Sequence, residues 1–289
     1  MIGKVLAALA VGAALLAAST PARAGCRATT DESASVDADG CPDLGKPLYW
    51  KKACVGYALS EDASSQVDFA TASEVMAQAF GTWSTASCGG APPGIQFIDQ
   101  GATSITTVDY FVDGSNLNLV VFRDAEWPHD DASHNVALTT LTFDVPTGEI
   151  LDADMELNSA EFELTTTPTT TAYDLQSIAT HEVGHLLGFA HSSDPDSTMG
   201  AIYEPGTITI RDLAPDDLEL LCQTYRPDGT RPTGDGVVVA DPCEPDGDGA
   251  SCPSSTVAGC SAAPATGSAA SSTAALFALA LLGLRRRRR

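Results

Sequence analysis

The chain has 289 residues, enough for one or two ordinary domains, and its apolar share of 44% is typical of globular proteins. Its formal net charge is −23, but seven of the 15 basic residues lie at the two ends, whereas all 38 acidic residues lie between them. The body therefore has 8 basic and 38 acidic residues, a net charge of −30, which disfavours nucleic acid and anionic membrane surfaces as partners.

The first 24 residues have the features of a secretory signal peptide. Lys4 precedes an apolar run over residues 5–18, and residues 22–24 read Ala-Arg-Ala, a small-residue cleavage pattern. The apolar run is too short for a comfortable membrane span. We therefore expect cleavage before Gly25 and an exported protein.

Residues 25–45 are rich in Asp, Ser and Ala and predict a short leader, and the pattern that follows predicts a folded domain over residues 46–226. Residues 227–259 are acidic and rich in Pro, Gly and Ser, which predicts a linker with little core of its own. Within the domain, strands are predicted at residues 48–59, 95–98, 118–122, 136–145 and 150–157, and helices at residues 69–84, 174–188 and 215–225. This order predicts an α+β fold with one mixed sheet.

Residues 260–289 have a third composition. Residues 274–284 are almost wholly apolar, and five arginines follow them, which predicts a short apolar helix stopped by the positive-inside rule. With the Gly-Cys pair that ends at Cys260, this order resembles the Myxo-CTERM sorting tails. The resemblance implies export and tail-processing machinery as partners, processing near Cys260, and display at the cell surface. A plain membrane anchor is the alternative, and in either case only this tail contacts the membrane.

Eight cysteines in an exported chain predict disulfides, because the compartment is oxidising. The absence of a Cys-x-x-Cys pair removes the usual zinc-knuckle spacing. Spacing does not fix connectivity, but Cys54 with Cys88 and Cys243 with Cys252 are the preferred pairs. Acylation of Cys26, as in a lipoprotein, is an alternative that is disfavoured by the arginine three positions before it.

The segment with the clearest chemistry begins at His181 and reads HEVGHLLGFAH. Residues four apart share a helix face, so His181 and His185 can present imidazoles to one ion. Gly188 can adopt a positive φ and turn the chain back, which would bring His191 to a third position. Three nitrogen ligands leave the fourth position for water, as a catalytic zinc site requires, and Glu182 is suited to act as the base.

The elongated zinc motif followed by Met199 resembles the metzincins, and the intervening residues resemble the matrixins. The resemblance covers roughly residues 46–226. It implies a zinc metalloendopeptidase that acts on extracellular proteins or peptides, with a mixed, mostly parallel five-stranded sheet, an active-site helix and a C-terminal helix. Met199 would form an apolar floor beneath the zinc, and Tyr203 would help to wall the S1′ pocket. Ala201, where the family usually has proline, and the insertion over residues 204–210 depart from the family pattern.

Two further groups of side chains are candidate metal ligands. The carboxylates of Asp152, Asp154 and Glu156 alternate along one predicted strand and so share a face, which suits structural Ca²⁺, although a solvated sheet edge is equally compatible. A second group, His129, Asp130 and His134, either holds a second metal or lies in a solvated loop.

The sequence leaves two questions open, the role of Cys41 and the class to which the protein belongs. A faint resemblance of Cys41 and its neighbours to the matrixin cysteine switch competes with an ordinary disulfide. The chain as a whole is alternatively a catalytically silent surface adhesin, which the intact Glu182 disfavours, or a calcium-stabilised structural surface protein. If it is an enzyme, substrate should lie extended along the edge strand near residues 136–141.

Overall fold

The structure, a computed structural model, describes residues 25–31, 33, 35–37, 40–112, 116–202 and 204–243, and the backbone of residues 275–276. The predicted signal peptide, and the predicted tail apart from that short piece of backbone, lie outside the described residues. Within the described part of the chain, no helix is long and apolar enough to cross a membrane.

The described residues form three α-helices and twelve strands. The helices are α1 (Phe69–Ser84), α2 (Leu175–Leu186) and α3 (Pro215–Thr224), with a 3₁₀ turn at Thr209–Arg211. The strands are β1 (Cys26–Arg27), β2 (Cys54–Ser60), β3 (Gln96–Thr103), β4 (Leu119–Phe122), β5 (Ala137–Asp144), β6 (Glu149–Leu157), β7 (Leu164–Thr165), β8 (Tyr173–Asp174), β9 (Phe189–Ala190), β10 (Thr230–Thr233), β11 (Gly236–Val239) and β12 (Ala275–Leu276).

The main sheet has five principal strands in the order β5-β6-β4-β2-β3, and the two-residue β12 pairs with the outer side of β5. The contacts of β2 with β3 and β4, and of β4 with β6, are parallel, whereas β5 runs antiparallel to β6. The prediction of an α+β fold with a mixed, mostly parallel five-stranded sheet is therefore confirmed. The first strand of this sheet, β2, begins at Cys54, six residues later than the predicted start at residue 48.

Helix α1 has the predicted limits because its capping residues and its row of buried side chains are determined by the sequence of the helix and its immediate neighbours. The side chain of Asp68 accepts a hydrogen bond from the backbone N–H of Thr71 and so caps the first turn. One face of the helix is buried, and the ring of Phe80 stacks on Tyr57 of the sheet at 3.8 Å between centroids. The helix thus covers the sheet and supports α2 from the side.

Helix α2 begins at the predicted cap, Asp174, which accepts from the backbone N–H of Ser177 at 2.8 Å. Almost the whole helix is buried, since it lies between α1 and the sheet. The polar side chains of α2 therefore lie in apolar surroundings, which shift their pKa values.

The disulfides differ from the preferred pairs. Cys54 bonds Cys243 rather than Cys88, and Cys88 bonds Cys222 of α3. Cys26 bonds Cys41, so the structure supports neither acylation of Cys26 nor a cysteine switch at Cys41. Spacing failed here because the partners lie 189 and 134 residues apart in the two longer bridges.

Both flanks of the predicted domain contribute to its packing. At the N-terminal side, β1 pairs antiparallel with β9, which follows directly after α2. At the C-terminal side, β10 and β11 form a hairpin whose Arg231 is completely buried. As far as Cys243, the segment that was predicted to be a linker with little core of its own packs on the body of the domain, held there by one buried arginine and one disulfide.

Candidate metal centre

Helix α2 and the turn after it bring three histidines together. His181 and His185 lie one helical turn apart on α2, and the helix ends at Leu186. Gly188 then has a φ of +83°, a conformation that favours glycine, and a Cβ there would lie 3.1 Å from Ile150 Cδ1 and from the carbonyl oxygen of Leu48. The chain turns back at this point and His191 approaches the other two rings.

Two of the rings are fixed by backbone carbonyls. The Nδ1 atom of His181 donates to the carbonyl oxygen of Thr198 at 2.7 Å, and the Nδ1 atom of His185 donates to that of Phe189 at 2.8 Å. Because a carbonyl oxygen only accepts, these bonds place the proton of each neutral ring on Nδ1 and leave the lone pair on Nε2. Nitrogen lone pairs held in this way are what a metal ion requires.

The three histidines lie within reach of one metal ion, and one pair of their nitrogens has the separation of zinc ligands. One ligand atom from each histidine lies within 4.8 Å of the others, which makes this trio the group of potential metal ligands found among the described residues. Nitrogen ligands that are about 2.0–2.1 Å from a tetrahedral zinc ion lie about 3.3 Å from each other. The Nε2 atoms of His185 and His191 are 3.2 Å apart.

The surroundings keep the imidazoles neutral. Burial, and after it repulsion from a neighbouring imidazolium, lower the pKa of His181, His185 and His191 to about 3. Neutral rings are the form that binds a metal, since a protonated Nε2 has no lone pair to offer.

Glu182 is buried beside the first histidine, and burial raises its pKa to about 7. One of its carboxylate oxygens, Oε2, accepts a hydrogen bond of 2.6 Å from the hydroxyl of Thr139, which lowers the pKa and opposes the effect of burial. Thr139 lies on β5 and was missed by sequence analysis, because no local pattern singles out one threonine of a strand.

Met199 packs beneath α2, against the helix backbone at Gly184. A Cβ on Gly184 would overlap the Sδ atom of Met199 and lie 2.9 Å from Cζ2 of Trp83. Met199 is fully buried, and Trp83 donates from Nε1 to the carbonyl oxygen of Thr180 at 2.8 Å. The residue before the second histidine of the motif is therefore a glycine, because the thioether approaches the helix backbone there.

The turn that carries Met199 is held by Asp217 of α3, which is fully buried. Its carboxylate accepts from the hydroxyl of Ser197 (2.6 Å) and from the backbone N–H groups of Thr198 (2.7 Å) and Ala214 (2.9 Å). Sequence analysis did not single out this aspartate. The adjacent Asp-Asp pair gave no signal that one carboxylate points inward.

The remaining predicted site residues lie elsewhere. Tyr203 is outside the described residues. The side chains of Asp152, Asp154 and Glu156 are buried, so the alternative of a solvated edge is wrong. Both oxygens of Glu156 are occupied, by Arg123 Nε at 2.5 Å and by His129 Nε2 at 2.6 Å.

Burial raises the pKa of Asp152 and Asp154, and repulsion from Asp154 raises that of Asp152 further. His134 bonds Asp131 at 2.5 Å, so within the described part of the chain His129, Asp130 and His134 do not converge on a common point.

A mixed sheet, an almost wholly buried histidine helix and a methionine turn beneath it define a metalloprotease domain of the zinc type. Comparison with known proteins identifies its family. The family model for Matrixin matches residues 49–226, more than half of the sequence, and the chain therefore belongs to the matrixin family, whose members are zinc metalloendopeptidases.

Individual relatives agree. The chain is 40% identical to Metalloendoproteinase 5-MMP of Arabidopsis thaliana over 94 residues, which are 32% of this chain and 25% of that protein. It is 29% identical to Metalloendoproteinase 1-MMP of the same plant over 190 residues (63% and 46%) and 29% identical to human Matrix metalloproteinase-20 over 197 residues (65% and 36%). The matched part thus spans less than half the length of each of these relatives.

Proposed function

We propose that this protein is an exported zinc metalloendopeptidase that hydrolyses internal peptide bonds of extracellular proteins. The observation that carries the proposal is the convergence of His181, His185 and His191, with two Nε2 atoms 3.2 Å apart, beside the buried carboxylate of Glu182. Membership of the matrixin family supports the same reaction class. The three histidines would hold the metal.

Zinc, when bound there, would lower the pKa of a coordinated water molecule and polarise the scissile carbonyl group. The protein's own part in the reaction falls to Glu182. Its carboxylate takes the proton of the attacking water and passes it to the leaving amine nitrogen, and a pKa raised toward neutrality suits both transfers. The hydroxyl of Thr139 holds Oε2, which leaves the other oxygen to move the proton.

Substrate recognition is proposed to use the edge strand and the loop after the methionine turn. An extended peptide would add to the outer side of β5 near residues 136–141, before the two residues that pair with β12, where backbone N–H and C=O groups give affinity with little regard to side chains. Tyr203 is proposed to line the S1′ pocket, and Met199 to act as an apolar floor.

Export and display are separate proposals. Residues 1–24 are proposed to be removed as a signal peptide, and residues 260–289 to act as a sorting tail or membrane anchor. N-terminal sequencing of the mature protein should begin at Gly25, and a different first residue would contradict the cleavage proposal. Calcium binding by Asp152, Asp154 and Glu156 also stays a prediction; equilibrium dialysis with and without D152N tests it.

The central experiment is cleavage of a proteome-derived peptide library, read by mass spectrometry, with and without a chelator. The wild-type protein should cleave peptides and should stop when zinc is removed. The Glu182→Ala variant should keep one zinc per chain while turnover falls by at least about 100-fold, because only the proton-transfer group is lost. A wild-type protein that binds no zinc, or an E182A variant with full activity, would overturn the proposal.

A further inference from the structure

A charged side chain of the C-terminal hairpin is buried in the body of the protein. Arg231 of β10 is 0% exposed, although it lies beyond residue 226, where the family match ends. Its guanidinium donates to the carbonyl oxygens of Trp50 (3.2 Å) and Thr230 (3.3 Å), and also to that of Gly94. Burial of a charge is costly unless its donors are satisfied, so this arrangement is maintained by specific contacts.

The guanidinium also lies over an aromatic ring whose hydroxyl contacts the end of α2. Its Cζ atom is 4.9 Å from the centroid of the Tyr225 ring, within the range of a cation–π contact. The hydroxyl of Tyr225 donates to the carbonyl oxygen of Leu187 at 2.7 Å and accepts from the backbone N–H of Trp50 at 3.1 Å. Arg231 thus fixes the ring that holds the end of α2.

The carbonyl oxygens at this end of α2 have no partner inside the helix, and side chains from elsewhere satisfy them. Nε1 of Trp50 donates to the carbonyl oxygen of Leu186 at 2.7 Å, and Tyr225 serves Leu187. Leu187 directly precedes the bend at Gly188 that leads to His191. Any rotation of these carbonyls would therefore move the third histidine relative to the other two.

The hairpin itself is fastened on both sides. Arg27 of β1 donates from Nη1 to the carbonyl oxygen of Pro232 at 2.7 Å, and the disulfide from Cys54 to Cys243 ties down the end of the segment. The backbone N–H of Ala53 donates to the carbonyl oxygen of Asp241 at 2.9 Å. The segment is thus held in place beside Tyr225 rather than free to leave it.

We propose that Arg231 is a positioning residue of the metal centre, which acts through Tyr225 on the end of α2, and that residues 230–243 belong to the working unit rather than to a linker. The inference rests on the zinc site proposed above. A loss of this support lets the bend at Gly188 relax, so the three nitrogens are no longer held at the separation that zinc requires. Displacements of this kind, even without loss of a ligand, reduce metal affinity and rate together.

The test compares variants of the full-length protein. Arg231→Met removes the charge and the donors at similar length, Arg231→Lys keeps the charge without the planar fork, and Tyr225→Phe keeps the ring without the hydroxyl. Asp235→Asn is the matched control, because it removes an exposed ion pair of the same hairpin with Lys46 and leaves Tyr225 untouched. Zinc affinity is measured by chelator competition, and the site geometry by the absorption spectrum of the cobalt-substituted protein.

Zinc affinity should fall by about 10- to 100-fold in R231M and in Y225F, less in R231K, and by less than about 2-fold in D235N. The cobalt spectrum should change in the first two variants, and the R231M/Y225F double variant should lose no more affinity than the worse single variant, since both act on one path. If R231M does not fold, the comparison of zinc affinity between R231K and D235N tests the inference.

Wild-type affinity and spectrum in the Arg231 variants, or additive losses in the double variant, would overturn the inference. A wild-type protein that binds zinc and cleaves nothing would instead contradict the proposed function and leave this comparison intact.

Discussion

At the site, neighbouring groups fix the orientation and the protonation state of each titratable side chain. The carbonyl oxygens of Thr198 and Phe189 accept hydrogen bonds from the Nδ1–H groups of His181 and His185. Burial keeps all three imidazoles neutral and raises the pKa of Glu182. Residues outside the motif therefore decide whether the motif can bind a metal and move a proton.

Thr139 is the first such residue. The Thr139→Val change keeps the shape but removes the donor to Glu182 Oε2. A hydrogen bond to a charged group contributes about 1.5–3 kcal/mol, so kcat should fall by about 10-fold or more while zinc content stays at one per chain. Steady-state kinetics on a peptide substrate measure the effect. Thr139→Ser restores the hydroxyl and should regain most of the rate, and an equally slow serine variant would contradict the role of the hydroxyl.

Gly184 is the second. Gly184→Ala inserts a methyl group against the Sδ atom of Met199 and against Trp83, both fully buried. Overpacking of this kind costs about 1–3 kcal/mol, and the variant should also bind zinc more weakly because Met199 supports the histidine helix. Gly81→Ala is the control, since nothing lies within 4 Å of its new Cβ, and it should instead stabilise the protein by about 0.5–1 kcal/mol. Urea unfolding that ranks the two variants in the opposite order would contradict this account.

At the scale of elements, helix ends are the places where separate segments are joined to the site. Asp217 at the start of α3 holds the methionine turn through three donors of that turn, the hydroxyl of Ser197 and the backbone N–H groups of Thr198 and Met199. Asp174 caps α2 and also pairs with Arg211, which lies in the 3₁₀ turn after the methionine turn. The two aspartates thereby connect the loop after Met199 to both helices that flank it.

Asp174 gives a prediction with a definite pH dependence. Burial alone would raise its pKa, but the hydrogen bonds from Arg211 and Ser177 outweigh burial and lower it. A carboxyl whose pKa is lower in the folded state contributes stability above its unfolded pKa of about 3.9, and this is lost as the pH falls through the folded pKa. Asp174→Asn should therefore lower the free energy of unfolding by about 1–3 kcal/mol at pH 7, because the ion pair with Arg211 is lost while asparagine still caps the helix. The loss should become progressively smaller below pH 4, because Asp174 of the wild type is then protonated as well.

Chemical denaturation at pH 7 and at pH 3 measures this difference. The matched control is Asp68→Asn at the cap of α1, where the acceptor serves Thr71 and no arginine. D68N should be the milder of the two at pH 7. Equal losses in both variants, or a D174N loss that does not shrink in acid, would show that the pair with Arg211 contributes nothing.

At the scale of the whole molecule, long-range disulfides join segments that are distant in the sequence. Cys88 with Cys222 closes a separation of 134 residues and fastens α3 beside the end of α1, whereas Cys26 with Cys41 closes only 15 residues. A cross-link removes more entropy from the unfolded chain when the loop it closes is longer. Such bridges suit an acidic body with a net charge of −30, whose self-repulsion favours expansion.

Disulfide mapping by mass spectrometry without reduction should recover the pairs 26–41, 54–243 and 88–222. The C88A/C222A variant should lose about 2–5 kcal/mol of unfolding free energy, and the C26A/C41A variant should lose about 1–2 kcal/mol less than that, because its loop is shorter. A larger loss from C26A/C41A would contradict the dependence on loop length.

Much of the architecture was set by local sequence. The limits of α1, the caps of α2 and α3, and the turn at Gly188 follow from side chains within a few residues of each feature, where capping, periodicity and backbone freedom act directly. The histidine spacing likewise implied converging rings, and the rings do lie within reach of one ion.

Tertiary structure alone decided the contacts between distant segments. Thr139 meets Glu182 across 43 residues, Arg231 reaches Trp50 across 181, and Cys54 bonds Cys243 across 189. Such pairs depend on how strands and helices pack, and the pattern around either partner carries no information about the other. For this reason a segment read as a linker turned out to contribute a buried arginine, while the motif eleven residues long could be recognised where it stands.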